Sequence, residues 1–201
     1  MCGIAGVLGD LRGVSTTAML DAIAHRGPDA DGARTVPLAG GGALWLGHRR
    51  LAIQDLSDAG RQPMLGHDGR RVIVFNGEIY NFKELREALT AEGERFTTGT
   101  DTEVILAGFR CWGEGALERF RGMFAFALYD PDEGTLTLAR DRLGEKPLYY
   151  ATGRDRFAFA SEVRALTASG VVEREIDPDG LDAYLTFGSL ADPPTLVRGV
   201  Q

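Results

Sequence analysis

Between Met123 and Ala160 the chain places four short apolar runs in succession: Met123–Tyr129, Thr135–Ala139, Pro147–Ala151 and Phe157–Ala160. Each reads as a strand, and turns near Pro131–Gly134 and Gly153–Asp155 join them as hairpins. Upstream, strands are expected at Cys2–Leu8, Ala33–Val36, Ala43–His48 and Arg71–Phe75. Apolar residues at helical spacing mark helices from Ser15 through Met19, Leu20 and Ile23, from Asn81 through Leu89, and over Thr102–Trp112. Two more are expected at Glu162–Ala168 and Pro178–Tyr184. Helices inserted among strands, without regular alternation, point to an α+β fold built on sheet packing and not to a doubly wound sheet.

The chemistry begins at the other end of the chain. Cys2 follows the initiator Met1 directly, so removal of Met1 would give one residue both a thiol and a free α-amine. Such an amine has an unperturbed pKa of about 7.7–8.0 and can take the thiol proton near neutral pH. By burial habit alone, a free cysteine here would simply open a strand. The other cysteine, Cys111, lies in an apolar helical pattern and reads as packing.

Length and composition narrow the field. A chain of 201 residues suits one domain, or one domain with a tail. A net charge of −7 argues against a nucleic-acid backbone as partner. Two distant cysteines and three scattered histidines (His25, His48, His67) make neither a disulfide framework nor a metal-ligand spacing. No run approaches the ~18 apolar residues of a membrane span, and no secretory leader is evident. No membrane partner is expected, and the expected compartment is the cytoplasm. P-loop and Gly-x-Ser-x-Gly patterns do not occur.

Three polar clusters sit where strands or helices should end: His25–Asp29, His48–Ile53 and Phe75–Asn81. Asn76-Gly77 alone is a turn signal. Its functional reading is an oxyanion hole, a side-chain amide and a backbone N–H aimed at one developing charge. Arg50 is by default a solvated strand residue, and Glu78 and Asp101 are surface acids, with Asp101 a candidate helix cap. Together they match a zwitterionic amino acid, the guanidinium fork on the α-carboxylate and the two acids on the α-ammonium.

These motifs resemble the class II glutamine amidotransferase domain, an N-terminal nucleophile hydrolase. The likeness is greatest to the glutaminase half of glutamine-hydrolysing asparagine synthetases. It rests on Cys2-Gly3-Ile4-Ala5-Gly6, His25-Arg26-Gly27-Pro28-Asp29, Arg50-Leu51-Ala52-Ile53, Asn76-Gly77-Glu78-Ile79-Tyr80-Asn81 and Thr98-Gly99-Thr100-Asp101. It continues through Gly122–Ala127, Arg140–Tyr150 and Ser161–Leu166.

The resemblance implies a four-layer αββα sandwich of two antiparallel sheets over residues 1–188, with 189–201 starting a linker toward a C-terminal synthetase domain. It implies Cys2 as nucleophile, Asn76 and Gly77 as oxyanion hole, and Arg50, Glu78 and Asp101 as the glutamine clamp. Leu51, Ala52, Ile53 and Gln54 would line the substrate through backbone groups, although the family more often has an apolar residue where Gln54 stands. His25–Asp29 would belong to the loops around the nucleophile. Hydrolysis of L-glutamine would need no metal or cofactor, whereas ATP and Mg would serve only the synthetase domain. The released ammonia would go to aspartate or another carboxylate. Oligomeric state is not fixed by the sequence, a homodimer being one option. Two rivals stand beside this reading: a noncatalytic regulatory or assembly module on the same fold, and hydrolysis of a different amide by the same nucleophile.

Overall fold

Strand β1 (Gly3–Gly9) lies at the middle of a five-stranded antiparallel sheet and brings the N-terminus into the centre of the molecule. The structure, a computed structural model, describes residues 1–52, 57–191 and 193–201. The order of this first sheet is β2 (Ala30–Pro37), β3 (Ala43–Arg50), β1, β9 (Arg156–Ala160) and β8 (Tyr149–Thr152). The second sheet, also antiparallel, runs β4 (Met64–Leu65), β5 (Val72–Ile79), β6 (Gly122–Asp130) and β7 (Thr135–Arg140).

Side-chain alternation divides the core into three layers of contact. Ile4, Leu44, Leu46, Val72, Val74, Ala125, Ala127 and Phe159 fill the space between the sheets. On the far side of the first sheet, Ala5, Val7 and Trp45 pack with Met19 and Leu166, carried by or beside α1 (Thr16–Asp21) and α5 (Val163–Ala168). On the far side of the second, Ile73, Phe75 and Phe126 pack under Leu85, Leu89, Ile105 and Phe109 of α2 (Phe82–Ala91) and α3 (Asp101–Trp112). Each fully buried aliphatic side chain contributes about 1.5–3 kcal/mol, so the period-two pattern along each strand holds two faces at once. The expected αββα sandwich is the observed one. A short helix α4 (Ala116–Arg119) and a ten-residue α6 (Pro178–Phe187) complete the helices described. None is long and apolar enough to cross a membrane.

Several boundaries differ from the expected ones, with physical causes. The first helix stops at Asp21 and gives way to a 3-10 turn over Ala24–Arg26. β5 does not end at Phe75: it continues through Asn76-Gly77 to Ile79, in register with β6 (Asn76 opposite Ala125, Gly77 opposite Phe124). A Cβ on Gly77 would stand 2.3 Å from the Met123 carbonyl oxygen, so the glycine serves close strand approach and not a turn.

The expected hairpin succession also breaks once. β6 pairs with β7 and β8 with β9, but the chain changes sheets between β7 and β8. The crossing is organised by Asp141, whose carboxylate accepts from the backbone N–H groups of Phe124, Leu143, Glu145 and Lys146 at 2.9–3.1 Å. Burial alone would raise its pKa, but these donors bring it below the ordinary carboxylate value. After α6, Gln201 and Tyr150 exchange backbone hydrogen bonds, 2.7 and 2.9 Å, so the last residues run beside β8.

Candidate active site

The inter-sheet core changes character at one end. Along β3 the inward positions read Leu44, Leu46, His48, Arg50, and along β5 they read Val72, Val74, Asn76, Glu78. Inward residues two apart thus pass from aliphatic to polar on both sheets. Cys2 stands two residues before inward-facing Ile4, and the first rungs of the β1–β3 ladder pair Gly3 with Arg49 and Ile4 with His48. Asp101 arrives from the N-terminus of α3. A cavity of ≈ 110 Å³ opens where these elements meet, lined by Cys2, Arg50, Leu51, Asn76, Gly77, Glu78 and Asp101. Ile53 and Gln54 lie outside the described residues. Ala52 does not line the cavity, and its N–H donates to the Asp29 carboxylate at 2.8 Å.

The Cys2 thiol is held by the residue after β3. Its Sγ donates to the Leu51 carbonyl at 3.6 Å and accepts from the Leu51 N–H at 3.4 Å. Burial raises the thiol pKa above its ordinary value, against the Leu51 contact and the nearby positive charges, which pull it down. A thiol in this state stays protonated at neutral pH and needs a base to become a nucleophile.

Asn76 is fully enclosed, and its Nδ2 is buried with no hydrogen-bond partner among the described residues. An orphaned amide donor normally costs about 1–3 kcal/mol. The Arg50 guanidinium is anchored by donation from one terminal nitrogen to the Ser57 carbonyl at 2.8 Å.

Asp101 is the first helical residue of α3, with Thr100 as the cap: the Thr100 hydroxyl accepts from Glu103 N–H at 3.3 Å. The expected capping role therefore falls to Thr100, which leaves Asp101 for the cavity. Its Oδ2 accepts from Ile79 N–H at 2.9 Å. Burial raises the Asp101 pKa to about 6, with Glu78 pushing in the same direction and backbone donors opposing.

The cavity also includes residues to which sequence patterning gave no role of their own. His48 is buried and donates from Nε2 to the Phe75 carbonyl at 3.2 Å; burial lowers its pKa to about 4, so it is neutral. Gln62 satisfies the edge of β5 beyond the two-residue β4, accepting from Phe75 N–H at 2.6 Å and donating to Thr102 at 3.4 Å. Lys146 reaches the cavity and donates to the Met1 sulfur at 3.4 Å. The signal that could have found His48 is strand parity, since it shares an inward face with Leu44, Leu46 and Arg50.

The His25–Asp29 cluster does not line the cavity but touches Cys2 and the end of β3 from behind. Arg26 Nε donates to the Cys2 carbonyl at 2.9 Å. Gly27 lies against β3 so closely that a Cβ would stand 2.3 Å from the Arg49 carbonyl carbon.

A family model described as a glutamine amidotransferase domain matches residues 1–201. Among curated proteins, an asparagine synthetase (glutamine-hydrolysing) 1 of Bacillus subtilis is 42% identical over 209 residues, covering 100% of this chain and 32% of that protein. A second from the same organism, asparagine synthetase 3, is 34% identical over 209 residues and is covered to 33%. The chain therefore spans about a third of the length of these relatives. Among solved structures, glutamine phosphoribosylpyrophosphate amidotransferase from B. subtilis superimposes with a TM-score of 0.69 at 22% identity, over 84% of this chain and 44% of that one. That likeness concerns the fold alone, the sandwich of two antiparallel sheets between helices. By the family match over its whole length and the identity to these relatives, the chain belongs to the glutamine amidotransferase domain family.

Proposed function

We propose that this chain hydrolyses the side-chain amide of L-glutamine with Cys2 as nucleophile, once Met1 is removed. The observation carrying the reading is the pairing, in one cavity, of a protonated thiol with the unpartnered Asn76 amide donor. The Cys2 α-amine takes the thiol proton as sulfur attacks the carboxamide carbon. Negative charge develops on the carbonyl oxygen, where Asn76 Nδ2 and the Gly77 N–H donate to it. The amine then returns the proton to the leaving nitrogen, so the C–N bond breaks, ammonia departs and a glutamyl thioester remains. Water, deprotonated by the same amine, attacks the thioester and releases glutamate and the thiol.

Arg50 receives the substrate α-carboxylate, and Glu78 with Asp101 the α-ammonium. Leu51, the residue of this segment that lines the cavity, flanks the substrate with its backbone groups. The step uses no metal or cofactor. The relatives' names support asparagine formation as the use of the ammonia, and in a longer protein a synthetase domain with ATP and Mg would amidate aspartate or another carboxylate. The cytoplasm is the proposed compartment.

The test is ammonia release from glutamine by purified chain whose intact mass shows loss of one methionine. Cys2→Ala is expected to abolish it, and activity persisting in that variant would remove Cys2 from the mechanism.

A further inference from the structure

Two sequence motifs remain outside the reaction just described, Ser161–Leu166 and the arginine of His25–Asp29, and the fold joins them directly behind the nucleophile. Ser161 is fully buried and holds both backbone polar groups of Ile4 at the start of β1: its hydroxyl accepts from Ile4 N–H at 3.0 Å, and its own N–H donates to the Ile4 carbonyl at 2.9 Å. The next residue, Glu162, opens α5 without capping it. Its carboxylate turns instead to Arg26, accepting from Nη1 at 2.9 Å, while Arg26 Nε donates to the Cys2 carbonyl, also at 2.9 Å. The Arg26 side chain is only 8% exposed, so this guanidinium sits between a carboxylate and the main chain of Cys2 with little access to water.

We propose that Glu162 is a positioning residue for the Cys2 nucleophile, acting through Arg26. The rungs of the β1–β3 ladder begin at Gly3, one residue after Cys2, so the carbonyl that Arg26 holds lies past the end of the sheet. A bidentate-capable guanidinium fixes direction as well as distance only when its other edge is itself fixed, and Glu162 fixes that edge. Burial acts to raise the Glu162 pKa, but hydrogen bonds from Arg26, Arg164 and His25 bring it below the usual value, so it is charged at neutral pH. Its remaining partners lie toward solvent: Arg164 Nε at 2.6 Å and His25 Nε2 at 2.9 Å, with side chains 56% and 50% exposed. Exposed pairs of that kind contribute little. The chain of contacts to Cys2 runs through the buried arginine.

The inference rests on the glutaminase reading for its kinetic arm only. In chain freed of Met1, Glu162→Gln is expected to lower kcat for glutamine hydrolysis about tenfold with KM within about twofold, the pattern of a misplaced nucleophile beside an intact clamp. Arg164→Ala leaves both constants unchanged. Added to Arg26→Ala, the Glu162 change costs nothing further. The second arm needs no turnover: iodoacetamide labelling is followed separately at Cys2 and Cys111 by peptide mass. Loosening at the N-terminus relieves the burial that suppresses the Cys2 thiol, so Glu162→Gln labels Cys2 at least about threefold faster and Cys111 at the wild-type rate. Unchanged Cys2 labelling, or a parallel rise at Cys111 that signals general unfolding, would overturn the proposal. So would an equal effect in Arg164→Ala. Absence of wild-type glutaminase activity would sink the function and leave the labelling comparison to decide the relay.

Discussion

In the proposed reaction the Asp101 side chain and the freed α-amine of Cys2 set the pH dependence between them. The free-enzyme rate constant kcat/KM reports the ionisations of unbound catalyst. A freed Cys2 amine must be neutral to act as base, which imposes a first loss below its unperturbed value of about 7.7–8.0. Asp101, raised to about 6 by burial, must be ionised to hold the substrate ammonium, and this imposes a second loss below that pH. Log kcat/KM is therefore expected to fall with a slope of about one between these values and about two below pH 6, since two protons must then be lost. Neutral His48, at about 4, adds nothing in this range. Asp101→Asn should weaken binding and leave a single slope throughout, and a slope of two persisting in that variant would remove Asp101 from the profile. The same raised value has a stability consequence. The unfolded Asp101 titrates near 3.8, so its buried form favours folding below that pH, and the advantage is lost as pH rises through about 6. Asn76→Ala belongs at this scale too: removing one such donor is expected to lower kcat about 10²–10³-fold, with KM little changed.

At the scale of single elements, α3 carries a cap that also aims a site residue. Thr100 accepts from the Glu103 N–H, and the Glu103 carboxylate accepts from the N–H and hydroxyl groups of Thr97 and Thr98 at 2.7–2.9 Å. Thr100→Ala is expected to cost about 1 kcal/mol of stability, seen in the urea midpoint. It should also raise KM for glutamine, because Asp101 begins the helix that this cap fixes; an unchanged KM would separate cap from clamp. The helix itself was legible over Thr102–Trp112, but the cap expected at Asp101 falls one residue earlier, at Thr100, whose hydroxyl takes the Glu103 N–H. Asn76-Gly77 was less so. A local reading sees a turn pair, and only the backbone of β6 across the ladder explains the glycine within a strand. β4 left no clear signal because two residues cannot display a period. The change of sheet after β7 was hidden for another reason: Asp141 makes the crossing through backbone donors, which carry no residue-type signature. That Cys2, Arg50, Asn76, Glu78 and Asp101 belong together was readable, by contrast, because each carries a distinctive side-chain functional group, and the fold brings them to one cavity.

At the scale of the whole molecule, the site exists only while the two sheets stay packed. Cys2 and Arg50 come from the first sheet, Asn76 and Glu78 from the second, and the aliphatic layer between them sets their separation. Phe159 is the largest fully enclosed side chain of that layer. Phe159→Ala removes it from β9, next to β1, and is expected to cost about 3–5 kcal/mol of unfolding free energy. Because the two halves of the cavity cannot form separately, glutamine hydrolysis and far-ultraviolet circular dichroism should be lost at one urea concentration, in the wild type and, at a lower concentration, in the variant. The folded fraction of Phe159→Ala should keep its kcat within about threefold, as Phe159 does not line the cavity and the polar ends of β3 and β5 are held by their own bonds. Activity lost well before the spectroscopic transition would show that the sheets slide while each remains intact. The cavity would then depend on a looser contact between the halves than the shared aliphatic layer describes.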